Sequence, residues 1–144
     1  MELIRGLHNL KNLSGCVLTI GNFDGVHAGH QEILKKLVQK SKERGLPSLV
    51  SSFSVTPETF FGRPKARINN FRDKHLLLES LGVDKHLLIR FSQSFSELSA
   101  TDFVNKILLP RIVIKVACSL TAEDYPFDKH SCPVRFKSCK YVQF

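Results

Sequence analysis

Residues 21–30 read Gly21-Asn22-Phe23-Asp24-Gly25-Val26-His27-Ala28-Gly29-His30, and they stand between a short apolar run, Cys16 to Ile20, and an amphipathic stretch beginning at about Gly29. A buried strand that turns through a glycine-rich loop into a helix is a building unit of α/β folds. Glycines at 21, 25 and 29 let the backbone turn sharply and approach a ligand closely. The helix start offers free N–H groups and the positive end of a dipole, an anion site suited to phosphate. His27 and His30, three residues apart, project from one side of the first turn, where both imidazoles can donate to phosphoryl oxygens. No Gly-Lys-Ser/Thr follows, so this is not a Walker A loop, and the glycine spacing is not that of a dinucleotide fingerprint.

Working outward, the pattern alternates. Ile33, Leu34, Leu37 and Val38 form the apolar stripe of a helix running to Arg44, with Gly45 at its stop and Pro47 beyond it. Ser48 to Phe53 reads as a second strand. Phe71 to Leu81 reads as a second helix with Leu76, Leu77 and Leu81 inward and Gly82 ending it. A third strand is expected at His86 to Phe91. Ser99 with Asp102 three residues on resembles a capping box, opening a third helix through Leu109 with Phe103, Ile107 and Leu108 on its apolar face. Ile112 to Ala117 is a fourth strand. This alternation predicts an α/β protein with a parallel sheet, whose ligands bind at the C-terminal strand ends, where the loop after Ile20 lies.

Between Phe53 and the second helix, residues 54–70 carry Pro57, Gly62, Pro64 and the basic Arg63, Lys65 and Arg67. The stretch is long for a connection in a compact domain and reads either as a binding loop or lid or as a solvated basic surface loop.

The 144 residues make one domain; 42% hydrophobic and 24% charged content excludes a disordered or fibrous chain. A net charge of +8 favours polyanionic partners such as nucleotides. No run of 18 uncharged apolar residues and no signal-peptide core is present, so a cytoplasmic protein away from the membrane is expected, its four cysteines reduced. The phenylalanines are scattered along the sequence rather than set out as a stacking platform, and no nucleic-acid partner is expected.

The decapeptide resembles the nucleotidyltransferases with a His-x-Gly-His motif, and in its fuller form the FMN adenylyltransferase (FAD synthetase) module of bacterial bifunctional riboflavin kinase/FAD synthetases. Ile4-Arg5-Gly6, Phe53 to Phe61, Arg72-Asp73-Lys74, Leu81-Gly82-Val83-Asp84 and Phe91 to Phe103 resemble further stretches of that module in the right order, so the resemblance spans Met1 to about Ile114. It implies a Rossmann-like domain over residues 1–114 and transfer of AMP from ATP to FMN, giving FAD and pyrophosphate with Mg²⁺ assistance. It also implies that His27 and His30 hold the ATP phosphates and are the catalytic pair, that Asn22 and Asp24 shape the loop, and that Gly21 and Phe23 border the nucleotide. Gly25 and Gly29 belong to the same ATP loop. Phe53, Pro57 and Arg63 fall on the flavin side, and no protein metal site is implied.

Two departures accompany the resemblance. Val55 replaces the first proline of the family's Phe-x-Pro-x-Pro pattern, and after Ile114 neither its Gly-Asp-Asp-Phe-x-Phe-Gly motif nor its Ser/Thr-x-Ile-Arg segment follows. Residues 115–144 read as a divergent basic tail holding both tyrosines and three of the four cysteines, and the domain as C-terminally incomplete. Cys118, His130, Cys132 and Cys139 do not have the paired spacing of a usual zinc module, and reduced thiols are the preferred reading. The alternatives left open are a catalytically inactive nucleotide-binding remnant and another transferase of the same motif family.

Overall fold

The computed structural model describes residues 1–10, 13–62, 66–110 and 112–117. Arg63 and the tail cysteines and histidine considered above lie outside them. Strands β1 (Glu2–Arg5), β2 (Leu13–Ile20), β3 (Ser48–Phe53), β4 (Lys85–Ile89) and β5 (Ile112–Ala117) form a sheet in the order β1-β4-β3-β2-β5, with every pairing parallel. The helices are α1 (Ala28–Arg44), a single turn α2 (Pro57–Phe60), α3 (Phe71–Ser80), a second short turn α4 (Gln93–Ser96) and α5 (Ala100–Asp102). α5 runs on as a π-helix over Phe103–Leu108.

Alternation along the strands sends side chains to two separate cores. Cys16, Leu18, Leu49, Leu87 and Ile89 meet Val104 and Leu108 on one face, while Val17 and Val50 meet Leu34, Leu37 and Leu78 on the other. The sheet is therefore covered on both sides, α1 and α3 on one and the π-helical segment on the other, as parallel sheets require.

The α/β reading holds, and four of the five strands are those expected. β2 starts three residues earlier than Cys16, and the strand expected over 86–91 is Lys85–Ile89. β1 is an addition: four residues with charged ends carry little periodic signal, yet β1 pairs with the outer edge of β4 from Glu2↔Lys85 to Arg5↔Leu88. Gly45 closes α1 in the left-handed conformation (φ 61°, ψ 32°), with its N–H on the Lys42 and Ser41 carbonyls.

Two apolar faces differ from expectation. In α3 Leu78 is the buried leucine, whereas Leu76 and Leu77 are 51% and 38% exposed. Three consecutive leucines fit any helical phase; the phase is set by Phe71 and His75, which stack on the buried His86 of β4 (ring centroids 5.8 and 5.5 Å). In the third helical segment Val104 and Leu108 are the buried residues, with Phe103 and Ile107 half-buried. A π register, Leu109 N–H to Val104 carbonyl at 2.9 Å, shifts the face from the 3.6-residue stripe. Ser99 does cap this segment, accepting from Asp102 N–H at 3.0 Å.

His86 is a polar group in the second core. Its Nε2 lies 2.8 Å from Ser52 Oγ and its Nδ1 3.2 Å from His75 Nδ1. Burial, and then the nearby charges of Lys74 and His75, lowers its pKa to about 4. Between about pH 4 and the ordinary value of 6.5 the unfolded chain binds the proton that the folded chain refuses, so stability rises with pH across that window. Thermal unfolding at pH 7, 5.5 and 4.5 is expected to show a progressive loss as pH falls, of up to about 3 kcal/mol from this side chain. A His86→Gln variant should have a shallower pH slope; an equal slope would sink the assignment.

Candidate functional site

β2 has β3 on one side and β5 on the other, so the chain leaves β3 and returns to β5 on opposite flanks of one central strand. That switch point is where open parallel sheets bind ligands, and residues 21–30 emerge from it. Gly21 N–H donates to Ser51 carbonyl at 3.0 Å, tying the loop's first residue to the end of β3.

The loop is strained and firmly seated. Phe23 and Val26 hold φ of 48° and 40°, a region that β-branched and bulky residues rarely enter. Both are buried, 1% and 2% exposed, in the core beneath α1. Their burial offsets a strain of about 1–3 kcal/mol each. The Phe23 ring thus sits under the loop, 5.2 Å from the His30 ring, and a Cβ on Gly21 would lie 3.1 Å from it. Gly25, at φ 74°, needs its left-handed freedom, and a Cβ there would meet Ile68 at 3.0 Å.

α1 begins one residue earlier than expected, at Ala28, with His27 as N-cap making no side-chain capping bond. Within the 17-residue helix, Gln31 N–H donates to the His27 carbonyl at 3.0 Å, closing the first turn. His27 and His30 come together as the spacing implied: the rings stack with centroids 3.7 Å apart and 24° between planes. His27 is exposed, while His30 is 8% exposed. Burial first and the His27 charge second lower the His30 pKa to about 4, with Asp24 acting in the opposite direction. At neutral pH His30 is an uncharged imidazole, a hydrogen-bonding group rather than a fixed cation.

Asp24 turns away from the helix start. Its carboxylate accepts from the backbone N–H groups of Ile68 and Asn69, at 3.2 Å each, and so clamps the end of the long basic loop to the glycine-rich loop. Asp24→Ala removes these charge-assisted bonds; a loss of about 1–3 kcal/mol is expected, with faster amide exchange at Ile68 and Asn69. Unchanged exchange there would argue against the clamp.

Beside the clamp is a cavity lined by Asn22, Asp24, Phe53, Ser54, Thr56, Arg67, Asn69, Phe71, Lys74 and Leu88. Phe53, the last residue of β3, is one of its lining residues; Pro57 opens α2. Lys74 and Arg67, named in the sequence only within Arg72-Asp73-Lys74 and among the basic residues of the 54–70 loop, both line this cavity. Lys74 Nζ donates to the Asn22 carbonyl at 3.1 Å, and Arg67 donates to the Ser54 carbonyl at 2.9 Å. The phenylalanines scattered in sequence are gathered in space: Phe53, Phe60, Phe61 and Phe95 all pack around Phe91, with centroids 5.3–6.0 Å apart. Among the described residues no group of three or more His, Cys, Asp or Glu could hold a metal ion, and no helix is long and apolar enough to cross a membrane.

Comparison with known proteins agrees with this layout. A family model described as FAD synthetase matches residues 9–131, which takes in part of the stretch after Ile114. The bifunctional riboflavin kinase/FMN adenylyltransferase of Escherichia coli K12 is 42% identical over 119 residues, 80% of this chain and 38% of that protein. The enzyme of the same name from Haemophilus influenzae is 45% identical over 118 residues, and that from Pseudomonas fluorescens 46% over 112. They cover 80% and 76% of this chain, and 38% and 36% of those proteins. The chain thus spans well under half the length of these relatives. A solved structure described as a macrolide-efflux protein from Streptococcus pneumoniae superposes with a TM-score of 0.71 at 25% identity, covering 81% of this chain and 47% of that one. A family match over most of the chain, on a parallel sheet with a His-x-Gly-His loop at its switch point, decides the assignment: the chain belongs to the FAD synthetase family.

Proposed function

We propose that the chain is an FMN adenylyltransferase, transferring AMP from ATP to FMN in FAD biosynthesis. The observation that carries the reading is the stacked His27–His30 pair at the start of α1, 3.7 Å between ring centroids. An FMN phosphate oxygen attacks the α-phosphorus of ATP, the bond from that phosphorus to the bridging oxygen breaks, and pyrophosphate leaves with the bond's electron pair. No redox step or covalent enzyme intermediate is involved. What the protein supplies is alignment and hydrogen-bond donors for phosphoryl oxygens. His27, His30 and the N–H groups of the first turn hold the ATP phosphates, Gly21 and Gly25 leave room for Phe23 and Ile68 against the loop, Gly29 lies between the two histidines, and Asn22, Phe23 and Asp24 fix the loop's shape.

The acceptor enters from the cavity side, past Phe53 and α2. Mg²⁺ is read as arriving on the ATP phosphates. No step here depends on a protein-held ion. We assign the reaction to the cytoplasm, where ATP is available and a thiol such as Cys16 stays reduced.

The test is chromatographic detection of FAD from ATP, Mg²⁺ and FMN with the purified chain. FAD and pyrophosphate in equal amounts are expected. ATP binding without product from a folded chain would identify a nucleotide-binding remnant, and turnover only with another phosphate acceptor would identify a different transferase.

A further inference from the structure

The cavity beside the glycine-rich loop, about 90 Å³, has room for a phosphoryl group. Its charged lining is two cations, Lys74 and Arg67, and one carboxylate, Asp24. Both Asp24 oxygens are occupied by the N–H groups of Ile68 and Asn69, so positive charge dominates the space. Lys74 is half-buried and makes one hydrogen bond, to the Asn22 carbonyl, that leaves two of its three N–H donors for other partners. Burial, together with the Arg67 charge, pushes its pKa down from the ordinary lysine value, and an added anion would favour the charged form and offset both effects. Asn22 joins the two halves of the site: its carbonyl receives Lys74 and its chain neighbours run on to the stacked histidines. Lys74 is close enough to His30 to act on its charge state as well.

We propose that Lys74, seconded by Arg67, binds the terminal phosphate of the acceptor and thereby sets the preference for a phosphorylated flavin over the unphosphorylated one. The proposal rests on the FMN adenylyltransferase reading and adds to it the group that recognises the nucleophile. An ammonium between the cavity and the glycine-rich loop holds the attacking phosphate next to the site of ATP binding. It also moderates the repulsion between two anions that have to meet.

The experiment uses Lys74→Met, which keeps length and loses charge, and Lys74→Arg, which keeps charge. FMN and riboflavin binding are titrated by flavin fluorescence, and ATP binding is measured on the same samples. For Lys74→Met the FMN dissociation constant is expected to rise about 10- to 100-fold, with riboflavin and ATP binding unchanged. Lys74→Arg should retain most of the discrimination between the two flavins. Equal weakening of FMN and riboflavin, unchanged FMN binding, or loss of ATP binding in Lys74→Met would each overturn the proposal, the last by making Lys74 a brace for the loop alone. A wild-type chain that binds both flavins equally overturns it too, leaving the transferase reading intact. A wild-type chain that binds neither flavin removes the acceptor assignment, and the proposal with it.

Discussion

Replacing both imidazoles, His27→Ala with His30→Ala, is expected to lower FAD formation by about three orders of magnitude, with each single variant losing about two. The shortfall from simple multiplication follows from the geometry. Rings 3.7 Å apart in a near-parallel stack serve one ligand, and removing either leaves the other without its neighbour. The two singles should differ in one respect. His27 is exposed and makes no capping bond, so His27→Ala should leave the thermal midpoint where it is. His30 is buried against Phe23, so His30→Ala costs stability as well as rate. The measurement is kcat/KM for ATP alongside thermal unfolding. Full activity in the folded double variant would remove the histidines from the chemistry.

Phe23→Ala is expected to be the most destabilising single change in the site, by about 3–5 kcal/mol, the usual cost of emptying a buried aromatic position. The ring is 1% exposed and packs with Val26, Leu34 and Leu37 in the core beneath α1. Alanine inherits the positive φ of 48° without the burial that offsets it, so the backbone should relax and carry the loop out of register. Denaturant unfolding should report the loss, and ATP affinity measured well below the new midpoint should fall with it. A loss under about 1 kcal/mol would mean that the loop keeps its shape without the ring.

The glycine-rich loop was legible because its signals are local. Glycine spacing, paired histidines and a helix start occupy ten consecutive residues, and the structure gathers them as the spacing implies. The way the neighbouring cavity closes was not. Arg67 and Lys74 stand 43 or more residues from Asn22 and Asp24 in sequence, and the place of Lys74 depends on how α3 is rotated. That rotation was itself misread, because the leucines at 76, 77 and 78 carry no phase; rings at 71, 75 and 86 fix it through a contact between α3 and β4. β1 was missed for the same kind of reason. Four residues bounded by Glu2 and Arg5 become a strand only when the edge of β4 is there to receive them. The π register at Phe103–Leu108 is a tertiary adjustment that a 3.6-residue stripe does not reveal.

The strand order bears on when the site comes into being. β2, which launches the glycine-rich loop, is closed on one flank by β3, nearby in sequence, and on the other by β5, where Cys16 meets Ile114. β4 likewise waits for a partner from the opposite end of the chain, residue 2 against residue 85. Pairings so remote in sequence carry a large loop-closure cost and slow the search for the native state. Until β5 docks, the strand beneath the histidines has an open edge, a template for pairing with other chains. The segment that follows the last helix, far from the chemistry in sequence, is therefore what seals the platform on which the chemistry stands.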